Sequence, residues 1–451
     1  MLMVNSPNQY LIAKVIRLYS SPRLNIPDKR VSHALRLSVW DGAFFCGMLA
    51  LTDTFSVAAA VQLHAPTIAI GLLAGLPLLS GSIGQLIVAR YFRSSMSRKK
   101  IVLIGTSCQS LFLLIVALTG FLPEHFRAWV YVFTFAIQGF FANIVGGLWT
   151  AWMGDLVEVP LRGRYFAFRN RIINTAQLFC GLAAGALAFR HTVATSGWTF
   201  FLAIFATAGG LRLISTLFLS AQYEPPVRIP SGNKGVSSGK LFGKPFLYFC
   251  LTTALMQGTV MIASPFFNVW SVRDLHFSYF SLAITAAATV LGSIIALPFW
   301  GLLSDRHGHH KILLLTGFLI ATVPFPFLFT GNVALICLIN IFTGIVWAGY
   351  NLSNFNHMLL LCEPENSERQ ISFANALTGI SVFIFSLIGG AIAPLLPKIM
   401  TWPLQSLFLL SGIMRIGVYF LLFPGIPQNW QDKEAIREHL KNLIRHPRDN
   451  R

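Results

Sequence analysis

Apolar runs long enough to cross a bilayer recur along the whole chain, separated by short charged connectors, and this rhythm leaves few folds open. The runs read approximately as 39–61, 66–89, 101–122, 129–152, 168–189, 198–219, 246–270, 278–303, 312–330, 333–358, 371–396 and 403–423. A helix crossing the hydrocarbon core needs roughly 20 apolar residues, and each run supplies about that number. The chain is 55% hydrophobic and 11% charged, whereas a water-soluble domain carries about 25% charged residues. A membrane β-barrel would show short alternating segments instead. The expected fold class is an all-α membrane protein with twelve transmembrane helices.

The formal net charge of +18 is spread over connectors and forms no patch, so nucleic acid is not an expected partner. Connectors on one side hold Arg90, Arg93, Arg98, Lys99, Lys100, Arg162, Arg164, Arg169, Arg171, Arg228, Lys234, Lys240, Lys244, Arg306, Lys311 and Arg369. Those on the other hold only Arg127, Arg190, Arg273 and Lys398. Basic residues favour the cytoplasmic side, so a multi-pass protein of the cell (inner) membrane with both termini cytoplasmic is expected. The six cysteines are widely spaced within or at the ends of apolar runs and read as small hydrophobic fillers. No metal and no cofactor is expected.

The connector 221–245 divides the runs six and six and is rich in Pro, Gly and Ser, a flexible composition. Gly81-Ser-Ile83 and Lys100 recur as Gly292-Ser-Ile294 and Lys311, and Arg164, Phe168, Asn170 and Arg212 recur as Arg369, Phe373, Asn375 and Arg415. Ordered matches at nearly one offset indicate a duplicated six-helix unit. The expected organisation is a basic N-terminal segment (1–38), a first bundle (39–220), a linker (221–245), a second bundle (246–424) and a basic tail (425–451).

Between the eighth and ninth runs stands Gly301-Leu-Leu-Ser-Asp-Arg-His-Gly-His-His-Lys311. Eleven residues leave no room for a domain, so this is a tight turn at one membrane face. Its pattern, Gly-x-x-x-Asp-Arg-x-Gly-x-x-Lys, closely resembles the signature of the major facilitator superfamily (MFS) of transporters. The resemblance implies two pseudo-symmetric six-helix bundles rocking around a central site. It also implies that Gly301, Asp305, Arg306, Gly308 and Lys311 form a cytoplasmic latch that breaks when that side opens. In the first-half copy, Ser94 stands where the latch carboxylate would fall. The extra histidines His307, His309 and His310 resemble a metal tract only weakly, with no carboxylate or cysteine beside them.

The connector after the fourth run reads Trp149-Thr-Ala-Trp-Met-Gly-Asp155-Leu-Val, then Leu161-Arg-Gly-Arg-Tyr-Phe-Ala-Phe-Arg-Asn-Arg171. It looks like a pattern of bacterial MFS members whose substrates it does not disclose. Asp155 closes one helix, and Arg162, Arg164, Arg169 and Arg171 open the next; opposite charges at adjoining ends are expected to pair when the cytoplasmic side closes.

Of the sixteen carboxylates, only Asp53 lies deep in a run, about 21 Å from Val39 at about 1.5 Å per residue. Insertion scales charge roughly 2.5–3.5 kcal/mol for such a residue, so it is expected to face a cavity. It either binds a proton or a cationic substrate group, or makes a structural hydrogen bond to a neighbouring Thr or Asn. Arg212 and Arg415 lie about two turns from a membrane face and read as anchors or as partners of a loop carboxylate. The MFS fold implies a cavity lined by helices 1, 4, 7 and 10. Cavity candidates are then Gln138, Asn143, Trp149, Gln257, Asn268, Asn340, Tyr350, Asn351 and Asn354, polar amides and aromatics suited to a neutral polar or amphipathic solute.

The expected function is secondary active transport of a small solute by alternating access, coupled to protons if coupled, by a monomer and not an enzyme. One alternative is a multidrug or metabolite exporter. Two departures count against drug antiport: Phe135-Ala-Ile-Gln-Gly139 lacks the Arg of proton-coupled members, and Gly181-Leu-Ala-Ala-Gly185 is followed by Ala186, not Pro. An alternative of another class is a non-transporting receptor or assembly factor on an MFS scaffold.

Overall fold

The computed structural model describes residues 28–87, 96–157, 159–187, 197–225, 243–362, 367–399 and 401–428. Within these, the side chains of 85–87, 159–164, 167, 305 and 367–369 lie outside the description. The expectations for the N-terminal segment up to 27, most of the linker and the tail beyond 428 therefore fall outside the described residues, as do the side chains of Arg162, Arg164 and Asp305.

Twelve long helices make up the described chain: α1 Lys29–Gln62, α2 Thr67–Ile87, α3 Arg98–Leu118, α4 Glu124–Leu156, α5 Val159–Leu187 and α6 Trp198–Ala221 in the first half. The second half holds α7 Lys244–Val269, α8 Tyr279–His307, α9 His309–Thr322, α10 Val333–Leu361, α11 Ser367–Ile392 and α12 Gln405–Leu422. Eleven are long and apolar enough to cross a membrane. The exception, α5, carries Arg169, Asn170, Arg171, Asn174 and Gln177 in one stretch, and it is the helix whose polar face turns inward.

Helix ends follow local chemistry. Asp28, Ser97, Ser278 and Asn332 each accept a backbone N–H at the start of α1, α3, α8 and α10, the preferred N-cap arrangement. α1 begins ten residues before the apolar run does because Asp28 caps the basic stretch before it. α9 stops at Thr322 and gives way to a 3-10 turn at Phe325–Leu328, since Pro324 and Pro326 cannot donate to a helical ladder. Between α8 and α9 the reversal takes one residue, Gly308, at φ 83°, a left-handed conformation that a residue without Cβ adopts freely.

Each packing in the first half has its counterpart in the second. α1 packs on α5 and α6, α2 on α4, and α3 on α4 and α6; α7 packs on α11 and α12, α8 on α10, and α9 on α10 and α12. The chain is thus two pseudo-symmetric six-helix bundles. They meet chiefly along α2–α11 and α5–α8. At the first seam the backbones touch, and a Cβ on Gly71 would run into the carbonyl oxygen of Ser386.

The cores show which end is closed. We call the face where α1 begins and α12 ends the near face and its opposite the far face. At the far face one apolar cluster joins both bundles, including Phe55, Phe201 and Phe205 with Phe266, Trp270, Tyr279 and Phe408. Toward the near face there are two clusters: one wholly in the first bundle around Trp152 and Tyr165, the other wholly in the second around Phe249 and Tyr350. The bundles are sealed together at the far face and part toward the near face.

Candidate functional site

Between the bundles lies a cavity of about 250 Å³, lined by Ala50, Asp53 and Thr54 of α1, Gln177, Leu178 and Gly181 of α5, Asn268 of α7, and six residues of α8 that include Leu282, Ala286 and Thr289. The 3- and 4-residue spacings on α1 and α5 put each set on one helical face. Two residues beyond Asp53, Phe55 packs edge-on against Tyr279, and Tyr279 stacks on Phe200. These rings close the cavity toward the far face.

Asp53 is exposed within the membrane-spanning part of α1 and lines the cavity. It is the sole charged residue of that lining, and no hydrogen bond or ion pair to another described residue reaches it. A carboxylate inside a membrane-spanning helix is normally paired, and this one has no partner among the described residues.

Of the amides and aromatics expected to line the cavity, Asn268 does so. The others serve packing or face elsewhere. Gln138 accepts from Gln109 Nε2 at 3.1 Å. Asn143 donates to the carbonyls of Pro77 and Gly139, and Asn340 donates to that of Thr285, tying α4 to α2 and α10 to α8. Trp149 lies beneath the Arg169 guanidinium, 4.3 Å from the ring centre. Tyr350 is buried in the second bundle's core. Gln257 and Asn354 are half-buried and Asn351 exposed, none of them in the cavity lining. The lining thus comes from α1, α5, α7 and α8, not from α4 and α10. Gln177, Thr54 and Thr289 escaped the sequence reading; the polar stretch in the fifth run was the signal for Gln177.

Arg212 is not an anchor at the membrane surface. It is buried, donates from Nε to Gln109 Oε1 at 2.7 Å and from Nη1 to Ser215 Oγ at 2.9 Å, and Ser215 donates to Asp41 Oδ1 at 2.6 Å. Arg169 Nη2 lies 4.0 Å from Asp41 Oδ2, and its Nε donates to Ser38. One carboxylate and two guanidiniums thereby bind α1, α3, α4, α5 and α6 together. Arg415, the pseudo-equivalent of Arg212, is equally buried but donates to Ser411 and to the carbonyls of Ile320 and Val260.

At the near face Asp155 pairs with Arg98 at 2.6 Å, within the first bundle, and not with the described arginines of α5. Lys99 Nζ donates to the carbonyl of Gln222 at 2.8 Å. Arg306, Gly308 and Lys311 are exposed, and a Cβ on Gly301 would meet nothing within 4 Å. No described residue therefore packs closely against Gly301 in this state. His310 and His357 donate from Nε2 to the carbonyls of Ile426 and Pro427, each at 2.9 Å, so they hold the chain leaving α12. Among the described residues no cluster of metal-ligating side chains occurs.

Two pseudo-symmetric six-helix bundles around a cavity closed at one face are the architecture of a membrane transporter. The chain matches the family model of the Major Facilitator Superfamily over residues 43–289 and 249–449. It superposes on the D-xylose-proton symporter with a TM-score of 0.67 at 12% identity, covering 89% of this chain and 99% of that one. It superposes on the inward-open xylose transporter XylE from E. coli with a TM-score of 0.66 at 14% identity, covering 88% and 99%. For the nucleoside transporter NupG the TM-score is 0.63 at 13% identity, covering 88% and 98%. No curated protein matches the chain in sequence. The protein belongs to the Major Facilitator Superfamily: it is a non-enzymatic, multi-pass membrane protein with the fold of secondary transporters.

Proposed function

We propose that this protein moves a small solute across the membrane by alternating access, with Asp53 as the site at which a proton couples to transport. The observation that carries the reading is the unpartnered Asp53 carboxylate in the cavity between the bundles. A structurally similar protein is a D-xylose-proton symporter, so the scaffold is compatible with proton coupling. The basic connectors support a near face that is cytoplasmic and a cell-membrane location. The state described is then inward-open. Asp305, with Arg306, Gly308 and Lys311, would re-form the latch when the near face closes, with Arg162 and Arg164 at the near end of α5. A non-transporting scaffold has no use for an ionisable group in a vestibule, which favours transport.

The test is counterflow in proteoliposomes of the purified full chain, with labelled pentoses, nucleosides, amino acids and quaternary amines. Wild type should accumulate at least one class in a pH-dependent manner, and Asp53→Asn should remove the pH dependence. No accumulation of any class above empty liposomes, or an Asn variant with an unaltered pH profile, contradicts the reading.

A further inference from the structure

We infer that the cavity takes a small monovalent organic cation and exchanges it, one for one, with a proton at the Asp53 carboxylate. This rests on the role of Asp53 given above and adds the solute class and the sense of coupling.

The class follows from what the wall offers. Its charge is a single carboxylate, and no lysine, arginine or histidine joins it. A solute carboxylate or phosphate needs charge-assisted donors, and the deep guanidiniums are already engaged, Arg212 with Gln109 and Ser215 and Arg169 with Ser38. A polyhydroxylated solute must find a partner for each hydroxyl it loses to water, since unpaired buried polar groups are costly. The remaining polar side chains of the lining are Thr54, Gln177, Asn268 and Thr289; Ala50, Ala283, Ala286, Ala287, Leu282 and Val290 make much of the rest apolar. Short apolar walls around one carboxylate match an ammonium centre carrying alkyl groups, with the two amides left for one polar substituent.

The coupling follows from there being one carboxylate. A proton on Asp53 and an ammonium against it occupy the same oxygens, so they cannot be carried together. Entry of the cation breaks the Asp53 O–H bond, sends the proton to water and replaces it by an ion pair. Protonation on the opposite side reverses the exchange. In both loaded states the carboxylate's charge is neutralised, whereas the empty ionised carrier must take an unpaired charge out of water when the cavity closes over it. Loaded carriers therefore reorient, and two ions of equal charge move in opposite directions.

Among the described residues no second titratable group lines the cavity to alter this count. On α1 the next carboxylate toward the near face is Asp41, about 18 Å along the helix and tied to Ser215 of α6. On α5 the nearest described charges are Arg169 and Arg171, about two turns from Gln177. The facing stretches of α7 and α8 present Asn268 and Thr289 but no charge.

The experiment uses proteoliposomes of the full chain with an acidic lumen and a trapped pH dye. Choline, tetraethylammonium and N-methylpyridinium are added outside; being permanently charged, they do not leak as free bases. 3,3-Dimethyl-1-butanol, the uncharged isostere of choline, is the control. At least one cation should alkalinise the lumen at ten times the rate seen with the alcohol or more, without dependence on membrane potential. Asp53→Asn should abolish the response and Asp53→Glu should retain it. If none of the cations acts, or the alcohol acts equally, the inference fails on wild type alone, whatever the folding of the variants. Proton-dependent counterflow of a neutral or anionic solute, without any response to cations, overturns the exchange and leaves the transporter reading standing.

Discussion

The ring of Tyr279 lies flat on that of Phe200 across the divide between the two bundles, with centroids 4.6 Å apart and planes 9° from parallel. Phe55 and Phe201 meet the same tyrosine edge-on at 6.1 and 5.4 Å. One residue of the second bundle is thus held by three rings of the first, directly beyond the cavity.

Aromatic pairs contribute about 0.5–1.5 kcal/mol each beyond their buried area, and about 1.4 kcal/mol is a tenfold change in an equilibrium. Tyr279→Ala should therefore raise the population open at the far face roughly tenfold or more. In a background without the six native cysteines, Thr54→Cys should be labelled from the far side correspondingly faster. An unchanged labelling rate would show that the aromatic contact is not the seal.

Gly71 tests the same seal on the α2–α11 seam, where a side chain would collide with the Ser386 carbonyl. Gly71→Val should hold the two helices apart at the far face and speed the labelling of Thr54→Cys as Tyr279→Ala does. Labelling no faster than in the glycine protein would place the closing contact elsewhere.

The buried charges make a contrast. Removing one partner of a buried pair costs about 3–5 kcal/mol because a charge is left uncompensated, whereas replacing buried charges with apolar side chains so that none is left unpaired is often neutral or stabilising. Asp41→Ala leaves Arg212 and Arg169 facing each other without their carboxylate, and should destabilise the detergent-solubilised protein by about that amount. Arg415→Met deletes a cation held by Ser411 and carbonyls alone, and should change stability by about 1 kcal/mol or less. Urea unfolding of both variants decides, and equal losses would contradict the assignment.

The Arg98–Asp155 pair is partly exposed, with the Asp155 side chain 42% accessible, and joins helices of one bundle. Such pairs contribute roughly 0–1 kcal/mol. Asp155→Asn should lower stability slightly, the difference vanishing in high salt, and leave the near-face opening unaltered. A variant that changes the opening would give Asp155 a part in closing the near face.

Helix number, the duplicated halves and the one-residue turn at Gly308 were legible because apolar runs, repeated motifs and glycine each act locally. The place of Asp53 in the cavity wall was legible for a similar reason: a carboxylate in the middle of an apolar run is costly unless it faces a cavity. The rest of the site was not. Whether Asn143 or Asn268 faces the cavity depends on helix rotation, and both stand in runs where apolar residues surround every face. Asp41, Arg169 and Arg212 come from three different helices, so their meeting is a tertiary fact; each alone sits close enough to a span end to pass for an anchor. The family resemblance points to helices 4 and 10, where Gln138, Asn143 and Asn340 instead bridge neighbours within their own bundles, and not to Gln177 of the fifth.

The most direct test of the central claim is a pair of spin-label distances in the cysteine-free background, one across each face. Ser220 with Leu421 reports the near face, and Phe121 with Phe329, which are 62% and 79% exposed, reports the far face. The account predicts a resting state long at the near face and short at the far face, with a second population in which both distances change in opposite directions as pH is lowered or a transported cation is added. One fixed distance at each face under all of these conditions would contradict it.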